Sequence, residues 1–136
     1  MAENFNDRLR RTTKDITFTG AAGLGAQGTV AAGTVTGGVL IEQLAAYCVT
    51  DLVGTNATIA LGVAGATTGL IAQATATDID ATKFWTDATP TVLESSVANK
   101  LVSLNIIATV ATADITAGRI IITYYWRPIT ANGNLA

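Results

Sequence analysis

"GRIIITYYWRPIT", residues 118–130, decides how the chain folds. Counted in twos, Ile120, Ile122, Tyr124 and Trp126 share one face, while Arg119, Ile121, Thr123, Tyr125 and Arg127 share the other. That alternation describes a half-buried β-strand. Pro128 ends it by removing a backbone donor. The apolar face needs a second sheet to cover it, and the other presents two arginines and a tyrosine to water, to a ligand or to another protein.

Working outward, the rest of the chain has the same character. Upstream, "KLVSLNIIATVATA" (100–113) puts Val102, Leu104, Ile106, Ala108 and Val110 on one face of a strand, with Ser103, Asn105 and Thr109 opposite. "DITAG" then turns it into the terminal strand as a hairpin. "ATIALGVA" (57–64) and "GLIAQATA" (69–76) form a second hairpin across "GATTG", with a loop of three to five residues. "GTVAAGTVTG" (28–37) reads as a weak, glycine-interrupted strand pair. "GVLIEQLAAYCVTDLVG" (38–54) is apolar on both parities: Val39, Ile41, Tyr47 and Val49 suit a central strand, while "EQLAA" also tolerates helix. Strand is favoured, because β-branched residues flank the segment and nothing caps a helix start. Closely spaced turns and strands make an all-β chain, an antiparallel β-sandwich with jelly-roll-like connections as the expected form.

Two segments break the rhythm. Residues 77–98 hold Asp78, Asp80, Asp87 and Glu94, four of the ten acids, beside Phe84, Trp85 and Pro90. They read as a long, partly ordered excursion of the kind that often carries function. At the other end, Arg8, Arg10, Arg11 and Lys14 supply four of the eight basic residues, followed by uncharged "GAAGLGAQG" (20–28). Residues 1–28 are therefore expected to form an extended arm and a flexible glycine-rich hinge, with 29–136 as the sandwich domain. The arm is either a frayed tail or a basic segment that docks on a partner.

Composition limits the function classes. A chain of 136 residues fits one domain with its own core. Charged residues are only 13%, about half the usual share, and alanine and threonine make up about a third of the chain, so much of the surface is expected to lie against neighbours. A net charge of −2 argues against nucleic acid as a partner. "MAENFNDRLRRTTKD" has no apolar signal core and no stretch is long enough to span a bilayer, so synthesis in a cytoplasm without membrane insertion is expected. Cys48 is the single cysteine, lies in an apolar run and reads as a buried small hydrophobe.

The chain has no histidine, which removes Ser-His-Asp and Cys-His nucleophiles and HExxH zinc sites. No cofactor or metal is implied, and the glycines at 20–28 lack the Lys-Ser/Thr of a phosphate loop. Asp78 and Asp80, with Asp87 or Asp114, are the remaining candidates for a calcium site or a glycosidase-like pair, against the simpler role of capping polar turns. Trp126 shares its parity with the core. Trp85 sits in the polar excursion, where it would serve as a sugar platform, a lid over the sandwich end or an intersubunit anchor.

"TIALGVAGATTGLIAQATATDIDATKFWTDATP" and "ADITAGRIIITYYWRPIT" together resemble small structural proteins of tailed bacteriophages and related particles, found among head-assembly genes. The resemblance spans roughly residues 37–130 and rests on "WTDATP" (85–90) and on Trp126-Arg127-Pro128. It implies a capsid decoration or head-stabilising role on the virion surface, with subunits assembled as trimers on the major capsid protein of the shell. The expected partner-binding residues are then Arg8, Arg10, Arg11 and Lys14, and the expected subunit-interface residues Trp85, Arg119, Tyr125 and Arg127. The alternative is an adhesive or carbohydrate-binding module of a virion fibre or tail.

Overall fold

A computed structural model describes residues 8–136. Its strands are β1 (Arg10–Thr17), β2 (Gly28–Gly33), β3 (Val35–Thr36), β4 (Val39–Val53), β5 (Thr58–Val63), β6 (Ala66–Thr75), β7 (Phe84–Trp85), β8 (Val97–Val102), β9 (Ile106–Ala111), β10 (Ala117–Pro128) and β11 (Asn134–Leu135). Among the described residues the one helical element is a single 3-10 turn, Ala76–Asp78. All strand pairings are antiparallel.

Two sheets make a β-sandwich. One runs β1-β10-β4, and the far side of β4 is shared by β8 along one half and by β7 along the other. The second runs β2-β9-β5-β6, and β3 and β11 form a small extra ribbon. Among the longer strands only β5 and β6 follow one another within a sheet, and every other connection changes sheets. A single core of buried side chains from both sheets lies between them, including Ile120, Ile122, Tyr124 and Trp126 of the terminal strand.

The ambiguity of residues 38–54 has a mechanical cause. Tyr125 lies opposite Gln43 and Trp126 opposite Ile41, so Glu42 is an extra residue in β4 and the parity reverses there. Val39 and Ile41 point inward before this bulge, and Leu44, Ala46 and Cys48 after it. Tyr47, which shares a parity in the sequence with Val39 and Ile41, is therefore on the outer face, 37% exposed.

Several expectations are corrected. Residues 10–17 are no arm: all eight pair with β10, because the alternation of RRTTKDIT matches an edge strand. Residues 1–7 of the expected arm lie outside the described residues. The 20–28 segment is a bound turn and not a hinge. Ile115 donates to the Gly25 carbonyl at 2.7 Å and Gln27 to Asp114 Oδ1 at 2.9 Å, and a Cβ on Gly25 (φ +121°) would collide with the Ile115 carbonyl. Finally, 100–123 is no hairpin. β8 ends at Val102, Ser103–Asn105 crosses to the other sheet, β9 pairs with β2 and β5, and β10 lies in the sheet left behind. Leu104, expected in the core, sits in that crossing, 51% exposed. The β5–β6 turn is also tighter than "GATTG" suggested, with Val63 opposite Ala66 across Ala64 and Gly65.

Candidate functional site

The outer face of the β1-β10-β4-β8 sheet carries most of the residues singled out by sequence. One cross-strand row runs Arg11, Tyr125, Gln43, Ala98, and another Asp15, Ile121, Tyr47, Phe84. Tyr47 and Phe84 pack with ring centroids 5.2 Å apart at a tilt of 52°. Tyr125, 37% exposed, lines a shallow depression with Leu9, Gln43, Ala98 and Asn99.

The two arginines flank this tyrosine as expected, and each is held. Arg119 donates to Asp15 through Nε to Oδ1 at 2.9 Å and Nη2 to Oδ2 at 2.5 Å. The guanidinium beside Asp15 holds that carboxyl below its ordinary value and raises Arg119 in turn. Arg127 Nε donates to Glu42 Oε2 at 2.9 Å, so the bulge residue itself anchors the second arginine. The Arg127–Glu42 pair lies beside Tyr125, while the Arg119–Asp15 pair sits six residues away toward the start of β10.

The basic cluster does not gather into one patch. Along β1, Arg11 faces outward with Thr13, Asp15 and Thr17, whereas Arg10 and Lys14 share the opposite side with Thr12 and buried Ile16. The Arg10 guanidinium lies 5.2 Å from the centre of the Trp126 ring, covering the edge of the core. Arg8 precedes the strand and is exposed.

Trp85 is fully buried, which removes it as a sugar platform and as an intersubunit anchor. β7 places it opposite Ala46, and the small partner leaves room for the indole to enter the core. Its Nε1 donates to the Ala72 carbonyl of β6 at 3.3 Å, tying the two sheets together at their open side. Four of the acids are occupied in turns: Asp51 accepts from Ala81 at 2.6 Å, Asp87 from Thr89 at 2.7 Å, Asp114 from Gln27, and Asp80 pairs with Lys83 at 3.1 Å. No group of three or more His, Cys, Asp or Glu side chains is placed to hold a metal among the described residues.

The structure adds an apolar surface that the pattern missed. Leu101 (74% exposed), Leu104 and Ile129 stand around the end of β8. Between them and the β5–β6 turn runs an open groove of about 200 Å³, lined by Val63, Leu70, Leu101 and Leu104 with glycines 62 and 69. At the other end of β8, Val92 and Leu93 project from the 86–96 loop, Leu93 with 87% of its surface in solvent. An apolar pair in an otherwise polar stretch was the available signal for the second feature. No signal marked the first, since Leu104 matched the core parity.

Neither a protein-family model nor a curated protein matches the chain. Among solved structures, it is similar to a chain of the cyanophage Pam1 capsid asymmetric unit, with a TM-score of 0.53 and 14% identity over 93% of this chain and 89% of that one. A chain of the acid-stable capsid of the Helicobacter pylori bacteriophage KHP30 aligns over 96% and 98% with a TM-score of 0.48 and 9% identity. The first likeness is one of fold across nearly the whole of both chains.

Proposed function

We propose that the chain is a non-enzymatic structural protein of a phage virion, which decorates and stabilises the capsid shell as a homo-oligomer, a trimer on the major capsid protein. The observation that carries this reading is the end-to-end similarity of fold to a chain of the cyanophage capsid asymmetric unit. Strand order adds support. With the two-residue strands set aside, the first strand lies beside the last in one sheet and the sheets exchange the chain at almost every step, an order that supports jelly-roll-like connections of the kind common in viral capsids. Low charge and a rigid outer face around Tyr125, with Arg119 and Arg127 held by acids, suit a surface that lies against neighbours.

Sedimentation of the purified chain, alone and mixed with particles that lack it, tests the proposal. The expected result is an oligomer that joins the particles at a fixed stoichiometry. A chain that never co-sediments overturns the virion role. The carbohydrate-binding alternative has lost its exposed tryptophan and no other feature favours it.

A further inference from the structure

The end of β8 offers a groove without an occupant, and the beginning of β8 offers an apolar projection without a socket. Val92 and Leu93 are the projection, and their loop is braced. Thr91 and Phe84 exchange backbone hydrogen bonds at 2.7 and 3.2 Å, and Thr91 Oγ1 lies 2.8 Å from both the Leu93 carbonyl and Glu94 Oε1. Thr86 Oγ1 donates to Glu94 Oε2 at 3.3 Å. An apolar side chain held out in water by a pinned loop has already lost the freedom that binding would cost it. The groove is open, holds about 200 Å³ and is lined mainly by apolar side chains, so apolar side chains of this size can enter it.

The two features cannot meet within one molecule. Val97 to Val102 spans about 17 Å at ~3.3 Å per strand residue, and the loop is fixed at the far end. They also differ in charge: Asp87 and Glu94 flank the projection, while Lys100 lines the groove and forms no ion pair among the described residues. Size, rigidity and charge therefore match one end of this strand to the other end of a second copy.

Resting on the self-association proposed above, we infer that Val92 and Leu93 of one copy seat in the Leu70–Leu101–Leu104 groove of the next, with the acids of the loop toward Lys100. Such a contact is head-to-tail. Repeated with a closing rotation it makes a ring, and each copy uses both surfaces once.

Complementation between two variants tests it. Both altered side chains are exposed, so Leu93→Ser removes the projection and Leu104→Arg blocks the groove while circular dichroism is expected to remain that of the parent. Each variant alone should sediment as a monomer at concentrations where the parent is assembled, with self-association weakened at least tenfold. Mixed, they retain one competent surface each and should form a one-to-one pair and nothing larger. Should either variant lose its fold, Val92→Ser and Leu101→Lys take the same roles. Parent-like assembly of both variants overturns the inference and leaves the virion role standing. A parent chain that is monomeric in solution, binds particles, and loses that binding in the variants assigns the groove to the shell protein and overturns the second-copy assignment. Failure of the parent to join particles at all counts against the virion role, whatever the variants do.

Discussion

The Tyr124 hydroxyl donates to the Ala32 carbonyl at 2.7 Å, joining β10 of one sheet to β2 of the other through the middle of the core. Both residues are fully buried, and burial raises the phenol far above its ordinary range, keeping it protonated as a donor. Replacing Tyr124 by Phe removes the donor and strands a buried carbonyl, at an expected cost of about 1–3 kcal/mol. Denaturant melts of the two proteins check this, and an unchanged midpoint would mean that water replaces the hydroxyl.

Gly118 has φ +115°, and a Cβ there would lie 2.5 Å from Leu52 Cδ2 and 2.6 Å from the Asp51 carbonyl. It sits where β10 slips register against β4. Gly118→Ala should therefore lower stability by several times the ~1 kcal/mol that glycine ordinarily costs relative to alanine in a strand. A thermal melt within a few degrees of the parent would show that β4 can move aside.

The Cys48 thiol is pushed up to about 11, first by burial and then by the negative charges of Asp51 and Asp80. A folded-state value above the unfolded one contributes stability that is present below the ordinary thiol value of ~8.5 and is lost as pH climbs toward 11. Native protein at pH 8 should resist a thiol reagent until it unfolds, and its melting temperature should fall across that alkaline window. A loss of this alkaline slope in Cys48→Ala would assign it to the thiol, while rapid labelling of the native protein would contradict the burial.

Asp15 behaves in the opposite sense. Its folded-state value is depressed by Arg119, so the pair supports the fold above the ordinary carboxylate value and the support is lost as pH falls through the depressed one. Both groups are exposed, so the effect should be small and salt-sensitive. NMR titration of the Asp15 carboxyl in the parent and in Arg119→Gln measures it. Equal titration midpoints would dissolve the pair.

How far the pattern carried is visible in individual residues. Ile120, Ile122, Tyr124 and Trp126 are core because the alternation of β10 is unbroken along their length, and strand parity alone placed them. In β4 the same counting failed at Glu42, since a bulge costs one residue and leaves no mark in composition. Leu104 kept the right parity and landed outside, because the connection between the sheets begins at Ser103. Trp85 was misplaced by its polar neighbours; a two-residue strand opposite Ala46 is decided by tertiary packing and not by local sequence. The groove itself is made of β8, the β5–β6 turn and the crossing after Val102, segments far apart in the chain.

Trp126 and Tyr125 are adjacent and should fail in different ways. Trp126 is 2% exposed, lies under the Arg10 guanidinium, and donates from Nε1 to Thr12 Oγ1 at 2.9 Å; Thr12 in turn donates to the Leu135 carbonyl at 2.8 Å. Truncating it to alanine empties the core beneath β1 and breaks the link from the terminal strand to the last residues of the chain, an expected loss of about 3–5 kcal/mol. Tyr125 leaves little behind in the monomer, since more than a third of it is in solvent, so Tyr125→Ala should melt close to the parent. If its face is a subunit boundary, the same change should weaken self-association by about 1–3 kcal/mol, the range expected for an aromatic hot spot. A melt and a sedimentation run on each variant separate the two roles. Equal melting temperatures for both variants would sink the division of β10 into a core face and a contact face, and a Tyr125→Ala protein that assembles like its parent would leave that ring facing only water.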